Sequence, residues 1–394
     1  MTGANVPEVW HGILATLVEA GHLTGPAELG RLVTDAVAPT GTEVVVYLVD
    51  YEQRALGPLP PAAGTPEPVD DSAAGQAFTL GRTVPGPPAW IPVVNGTERL
   101  GVLRVVPATG ADPYPVLAGC RLVAGMVGHL ITAKNLYGDD LQRVRRSRPM
   151  TPAAELLWRL LPPLTFASRQ MVVSTVLEPC YEVGGDAFDY AVDGDVARLA
   201  IYDAVGKGMR AALATAAAVG AARARRIAGA ALDEVATAVD RVLVDEFSDS
   251  RFVTAVLAEL SLADGRLRYV NAGHPPPVLL RAGRAVRTLK DGGRTPLGIL
   301  AGGTTVAETV FEPGDRLLLF TDGVTEARDP EGVQFGLDRL VALAEGVARE
   351  DLPAAETVRR LSHAVIDHQA GPPRDDATLM LVEWSEAAAR RAVP

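Results

Sequence analysis

Cysteine is nearly absent. Cys120 and Cys180 are the two in 394 residues, too few for a disulfide framework or a thiolate metal site. Histidine is scarce as well, with six. No stretch approaches the about 20 apolar residues that a membrane-spanning helix needs. The longest weakly polar run, 211–222, is 12 residues of mostly Ala and stops at Arg223, Arg225 and Arg226. Residues 1–10 lack the basic stretch and apolar core of a secretory signal, so a cytoplasmic protein is expected. An excess of positive charge is also missing. Thirty-seven Lys and Arg face 48 Asp and Glu, a net charge of -11, which argues against nucleic acid or an anionic membrane as partner.

What is present suffices for sizeable cores: 48% of residues are hydrophobic and 22% charged. At ~150 residues per domain the length predicts two to three domains. Residues 1–115 read as a small α+β domain. A helical pattern over 9–23 precedes strand-like runs at 44–49, 90–94 and 100–106, and Asn95-Gly96 between the last two is a hairpin signal. The segment 57–69 is too rich in Pro and Gly for regular structure. Residues 116–162 read as a helical linker. Val123, Val127, Leu130, Lys134, Tyr137, Leu141 and Val144 alternate steps of four and three. That spacing fits a coiled-coil seam and equally an amphipathic helix packed on its own domain. Gly125, Gly128 and Gly138 each cost roughly 1 kcal/mol against Ala, so such a helix needs packing partners.

From about 163 to 384 strands dominate, at 171–176, 196–202, 252–260, 267–270, 278–280, 316–320 and 378–383. Helical patterns cover 209–226 and 232–247, with weaker ones at 337–347 and 355–368. Asp193-Gly194 and Asp264-Gly265 mark hairpins, hence antiparallel sheet layers covered by helices. Residues 385–394 read as a mobile tail.

Four aspartates share one context, each beside Gly, small residues or a second Asp and next to a strand: Asp186, Asp203, Asp322 and Asp375. Asp203 and Asp322 end runs of mostly apolar residues, where a carboxylate is costly unless solvated, paired or bound to a cation. Four carboxylates without Cys and with few His form a hard-ligand set suited to Mg²⁺ or Mn²⁺ rather than Zn²⁺. Taken singly, each Asp fits a turn or a cap as well. Gly206-Lys207-Gly208 is not a phosphate-binding loop, since it lacks the Gly five residues earlier and the Ser or Thr after Lys. His363 and His368 are spaced off one helical face and read as a surface pair. His274, in Asn271-Ala272-Gly273-His274-Pro275, fits a loop-fixing hydrogen bond, with substrate contact as the alternative.

In chain order stand Val183-Gly184-Gly185-Asp186, Asp203-Ala204-Val205-Gly206-Lys207-Gly208, Asn271-Ala272-Gly273-His274-Pro275, Pro296-Leu297-Gly298, Pro313-Gly314-Asp315, Thr321-Asp322-Gly323-Val324-Thr325-Glu326-Ala327 and Asp375-Asp376-Ala377-Thr378. Together they resemble the bacterial PPM-type (protein phosphatase 2C-like) serine/threonine phosphatases of the SpoIIE/RsbU branch, over about 152–384. The resemblance implies an α+β chain whose C-terminal part is an αββα sandwich with a two-ion Mn²⁺ or Mg²⁺ site. It implies Asp186, Asp203, Asp322 and Asp375 as ligands, Asp203 bridging both ions, the Ala204 carbonyl as a backbone ligand and Asp376 as a less certain neighbour. It further implies metal-bound hydroxide attacking a phosphoserine or phosphothreonine, the usual substrate in this branch being a phosphorylated STAS-type anti-anti-sigma protein.

Two departures stand out. Eukaryotic relatives carry a His two residues after the bridging Asp, where Val205 stands here. The branch's helix before the phosphatase domain reads Ile-Gln-x-x-Leu-Leu-Pro, and Leu157 replaces that Gln in Leu156-Leu157-Trp158-Arg159-Leu160-Leu161-Pro162. The helix resembles a regulatory switch segment. Gly75-Gln76-Ala77-Phe78 and the runs at 90–93 and 100–103 are similar to GAF sensor domains, which implies a pocket for a small ligand or none. A homodimer through the linker is expected. A catalytically silent scaffold for a phosphorylated partner is the alternative; a two-metal phosphodiesterase fits less well with the net charge.

Overall fold

Runs of β-branched residues bounded by Gly, Pro and Asp set the strands in both parts of the chain. The computed structural model describes residues 6–247, 251–300, 303–371 and 375–393. Two units are distinguished, Met1–Arg148 with Arg391–Pro394, and Pro149–Arg390.

The first unit runs α1 (Val6–Gly21), α2 (Leu29–Val37), β1 (Glu43–Val49), β2 (Ala55–Leu59), β3 (Glu67–Pro68), α3 (Ala73–Leu80), β4 (Ala89–Asn95), β5 (Glu98–Val106), α4 (Pro113–Lys134) and α5 (Asp140–Arg145). Its strands form one antiparallel sheet in the order β3-β2-β1-β5-β4, and β4 and β5 make the hairpin expected at Asn95-Gly96. Leu17 of α1, Val33 of α2 and Val127 of α4 share a core with Val46 and Leu103 of the sheet. Phe78 of α3 lies in a second core with Trp90 and Tyr47, whose rings meet edge-on at 5.3 Å.

Three expectations need correction here. The segment 57–69 is not wholly irregular, because it contributes to β2 and β3. The Asp50 N–H donates to the Ala55 carbonyl, so alternation along the ladder puts Pro58, opposite Tyr47, at a pair that exchanges no hydrogen bonds. The missing N–H therefore costs that ladder nothing. Second, the boundary placed at 115 falls inside α4. Val123, Val127 and Leu141 of the expected seam are fully buried in the first unit's own core, so they are not free to form a dimer seam. Gly128 shows why the helix carries glycine: a Cβ there would lie 1.9 Å from the Val94 carbonyl oxygen, so its absence lets α4 rest on the backbone of β4. Third, α4 is long and apolar enough to cross a membrane, although no qualifying stretch was expected. The buried face just described accounts for part of that apolar character.

The second unit runs α6 (Pro152–Leu160), β6 (Thr165–Ala167), β7 (Met171–Glu178), β8 (Asp186–Asp193), β9 (Val196–Ala204), α7 (Met209–Ile227), α8 (Leu232–Glu246), β10 (Val253–Ser261), β11 (Arg266–Ala272), β12 (Val278–Arg281), β13 (Arg284–Thr288), β14 (Gly293–Arg294), β15 (Ala307–Val310), β16 (Arg316–Phe320), α9 (Asp322–Thr325), α10 (Leu337–Ala348), α11 (Ala354–Gln369), β17 (Ala377–Trp384) and α12 (Glu386–Arg391). One sheet has the order β14-β11-β10-β9-β8 with β15 beside β11; the other has β13-β12-β16-β17-β7-β6. Phe188, Ile201 and Val256 of the first sheet meet Val173, Leu319 and Met380 of the second in the central core. The small residues Ala211, Ala214 and Ala218 let α7 lie close on the outer face of the first sheet, beside α8. Helix α11 packs on β7 and β17 of the second, with α10 against α11. The result is the expected αββα layering.

The mobile tail is also corrected. Residues 386–391 form α12, capped by the Ser385 hydroxyl accepting from the Ala388 N–H at 3.1 Å, with Ala388 and Ala389 buried. Pro394, the end of that segment, and residues 1–5, part of the stretch read for a leader, lie outside the described residues.

Candidate active site

Antiparallel pairing sets Asp186, the first residue of β8, directly opposite Asp203 near the end of β9. Side chains opposite one another across a ladder share a face, and two carboxylates so placed repel. Asp203 in turn stands opposite Thr254 of β10, whose hydroxyl favours its ionised form. The second sheet brings the others. Asp322 opens α9 directly after β16, and Asp375 and Asp376 precede β17, the strand paired with β16.

Asp186 is buried at 1% exposure, and its Oδ2 accepts the hydroxyls of Thr321 and Thr378, each at 2.7 Å. The Thr378 N–H donates to Thr321 Oγ1 at 2.9 Å, which locks the two donors to each other. One carboxylate thus ties the edge of one sheet to the ends of two strands of the other. Asp376 acts differently. Its Oδ2 accepts the backbone N–H groups of Gly184, Gly185 and Asp186 at 2.9, 2.6 and 3.3 Å, so it holds the turn that presents Asp186. Gly323 makes the approach of α9 possible, since a Cβ there would sit 1.9 Å from the Asp376 carbonyl oxygen.

The electrostatics record the crowding. Burial first, then the charges of Asp322, Asp375 and Asp376, pushes the Asp203 carboxyl up to about 7. Asp186 is raised well above the carboxylate range by burial, Asp203 and Asp376, against the two threonine hydroxyls. Asp322 is raised by burial, Glu326 and Asp375. Among the ion pairs of the described residues, this group is met by Lys207, whose Nζ lies 3.8 Å from Asp375 Oδ1 with both side chains exposed. Among the described residues, no three His, Cys, Asp or Glu side chains converge to hold an ion. The reason is visible in the contacts: one oxygen each of Asp186 and Asp376 is committed to N–H or O–H donors, and Asp375 leans toward Lys207. The chemistry of the set still fits hard dications. It is all oxygen, and its proton affinity is raised by mutual repulsion that a cation would relieve.

The four aspartates expected from the sequence are therefore brought together from both sheets, with Asp376 as a backbone clamp. The Ala204 carbonyl also faces this turn, 2.9 Å from where a Cβ on Gly185 would lie. Val205 is partly exposed just beyond it. His368 is on the surface, contacting Arg339 at 2.8 Å and the Phe335 ring, and His363 lies near Arg359, both away from the aspartates. Thr254, Thr321 and Thr378 were not singled out by the sequence reading. Two of them stand inside the quoted motifs, Thr321 next to Asp322 and Thr378 two residues after Asp376, and that closeness was the available signal.

Residues 193–385 match the family model of Stage II sporulation protein E (SpoIIE). That segment, just under half of the chain, is similar to the SpoIIE family. It contains Asp203, Asp322 and Asp375, while Asp186 precedes it by seven residues. The phosphoserine phosphatase RsbU of Bacillus subtilis is 26% identical over 220 residues, 53% of this chain and 62% of RsbU. Protein IcfG of Synechocystis is 29% identical over 153 residues, 38% of this chain and 24% of IcfG. The chain thus spans less than two thirds of the length of these curated relatives. The SiaA-PP2C domain of Pseudomonas aeruginosa superimposes with a TM-score of 0.51 at 22% identity, covering 59% of this chain and 94% of that one, which establishes a shared fold.

Proposed function

We propose that this chain is a Mn²⁺- or Mg²⁺-dependent protein serine/threonine phosphatase in bacterial signalling, acting on a phosphorylated partner protein of STAS type. The observation that carries the reading is the cross-strand pair Asp186–Asp203, faced by Asp322 and Asp375, at the edge of the sandwich. Asp203, Asp186, Asp322, Asp375 and the Ala204 carbonyl would hold the cations. When bound, such cations supply charge neutralisation for a phosphoryl group and acidify water.

The protein's own residues set the rest. Thr321 and Thr378 fix the carboxylate plane of Asp186, and Asp376 fixes its backbone. Val205 offers no proton, so the leaving seryl or threonyl oxygen takes its proton from water or from another group. Control by the GAF-like N-terminal unit, as a homodimer, is part of the same proposal. Helix α6 supports a route for it: Leu157 is fully buried against Val183, which precedes the Asp186 turn, and Ala212 of α7.

The test is hydrolysis of p-nitrophenyl phosphate by the full chain with Mn²⁺, with and without chelator, using Asp203→Asn as the blank. Removing a partner of a metal ligand typically costs 10–100-fold, so losing a ligand should cost at least on the order of 10²-fold. Near wild-type turnover in Asp203→Asn would overturn the assignment. Inactivity together with failure to bind Mn²⁺ would favour a phosphoprotein-binding scaffold.

A further inference from the structure

His274 has no role in the site as described, yet it is 5% exposed and lies beside Thr254, the residue opposite Asp203. Its backbone is held from both sides by Asn271: Nδ2 donates to the His274 carbonyl at 2.9 Å, and Oδ1 accepts the His274 N–H at 2.8 Å. Gly273, at φ +69°, provides the left-handed step that makes this closure possible. Loop fixing is thus done by Asn271, and the imidazole is left for something else. Nδ1 lies 2.8 Å from Thr254 Oγ1, the hydroxyl of the residue directly opposite Asp203 on the β9–β10 ladder. Nε2 is buried without a hydrogen-bond partner; the Phe320 carbonyl faces the ring but does not meet bonding geometry there.

Counting protons fixes the direction of this chain. A neutral imidazole has one N–H, and Thr254 has one O–H. An ionised Asp203 only accepts, so the Thr254 proton must go to it. Thr254 Oγ1 is then left to accept from His274, which requires the imidazole proton on Nδ1. In the other tautomer the Thr254 proton is drawn to His274 Nδ1 and away from the carboxylate.

We propose that His274 acts through Thr254 as a positioning residue for Asp203, holding the Nδ1–H tautomer so that the Thr254 hydroxyl donates to the carboxylate and orients its remaining lone pairs toward the cation. The proposal rests on the reading of Asp203 as a cation ligand. It gives Asn271-Ala272-Gly273-His274 a role in that site at one side chain's remove. Partners of this kind typically contribute 10–100-fold to cation affinity.

The experiment uses the full chain and Mn²⁺ alone, with affinity read by titration calorimetry and folding checked by circular dichroism. Thr254→Val and His274→Leu should each weaken Mn²⁺ binding by about 10–100-fold. The double variant should lose little more than either single one, because both break the same chain. Thr254→Ser, and His274→Asn, whose amide nitrogen can stand where Nδ1 stood, should restore binding to within about threefold of wild type. ¹⁵N NMR of the wild-type protein with diamagnetic Mg²⁺ should show His274 protonated at Nδ1. Wild-type affinity in a folded His274→Leu protein, additive losses in the double variant, or an Nε2–H tautomer with Mg²⁺ bound would each overturn the relay. If His274→Leu does not fold, Thr254→Val and the NMR tautomer decide the matter. Asp203→Asn separates the two levels. If it binds Mn²⁺ like wild type, the ligand assignment and the relay fall together. If it loses binding while Thr254→Val does not, the relay alone falls.

Discussion

Neutralising Asp203 should change the pH dependence of stability in a way that isolates the cost of ionising this buried and like-charged carboxyl. Its carboxyl, raised to about 7 in the fold, has an ordinary value of 3.8. A raised carboxyl stabilises the fold fully below the unfolded value and loses that contribution as pH climbs through the folded value. Over the roughly 3 units between them, at about 1.4 kcal/mol per unit, the metal-free protein should lose up to about 4 kcal/mol. Asp186 titrates with it as a pair, so the loss belongs to both. His274 works in the opposite sense. Burial lowers it from 6.5 to about 3, so its contribution is lost as pH falls through that window, and the two effects largely cancel in wild type between about pH 4 and 6.5. The difference between wild type and Asp203→Asn removes the His274 contribution, which both share. Urea unfolding of both proteins in chelator at half-unit steps from pH 4 to 8 is the assay. Asp203→Asn should gain on wild type by about 1 kcal/mol per pH unit up to pH 7 and level off above it. Saturating Mg²⁺ should restore wild type and not the variant. A flat or falling difference would refute the crowding on which the site rests.

Three further outcomes are expected. Leu157→Ala should destabilise the second unit by about 2–5 kcal/mol in urea unfolding, because Leu157 is fully buried among Ala153, Val183 and Ala212 and leaves a cavity; an unchanged midpoint would show that α6 does not pack as described. Arg223 gives Asp189 two charged hydrogen bonds, at 3.2 and 2.7 Å, and caps the Leu160 carbonyl at 2.9 Å. Arg223→Met should cost about 1.5–3 kcal/mol by the same measurement, since Arg226 still pairs Asp189, and no change would discount the pair. Gly323→Ala should weaken Mn²⁺ binding by at least about tenfold in calorimetry, because its Cβ displaces the Asp376 backbone and loosens the clamp on the Asp186 turn; wild-type affinity would separate that clamp from cation binding.

Much of the fold was legible because its signals are local. Asn95-Gly96 and Asp193-Gly194 named their hairpins, and the Ala-rich run after Gly208 named α7. The four aspartates were legible as a set because each ends or begins a strand. What escaped the reading depends on partners far away in sequence. Nothing local tells a coiled-coil seam from α4, whose Val123 and Val127 face a sheet built from residues 43–106; the deciding contact is the Val94 carbonyl under Gly128. Strand β2 was hidden because Pro58 reads as a breaker unless its place in the ladder is known. Thr254 and His274 are 20 residues apart and meet only through the β10–β11 pairing.

The same geometry explains why a cluster of carboxylates persists in a folded chain at all. Asp186 is anchored by hydroxyls from the opposite sheet and Asp376 by three backbone N–H groups, so each of those charges gains charge-assisted hydrogen bonds against its desolvation. Asp203 loses hydration on burial, then faces three like charges with the Thr254 hydroxyl alone in its favour, which is why its proton affinity moves to about 7. An oxygen already committed to N–H or O–H donors is the less available to a cation. Among the carboxylates of the group that are not exposed, the one with the fewest internal partners gains most from a dication, and Asp203 is that residue. An ordered rank of cation dependence follows from hydrogen bonding alone. Asp203 should be the most sensitive position to neutralisation in metal affinity. Asp376 should be the position whose neutralisation harms stability as well, because removing its charge weakens three backbone bonds at once.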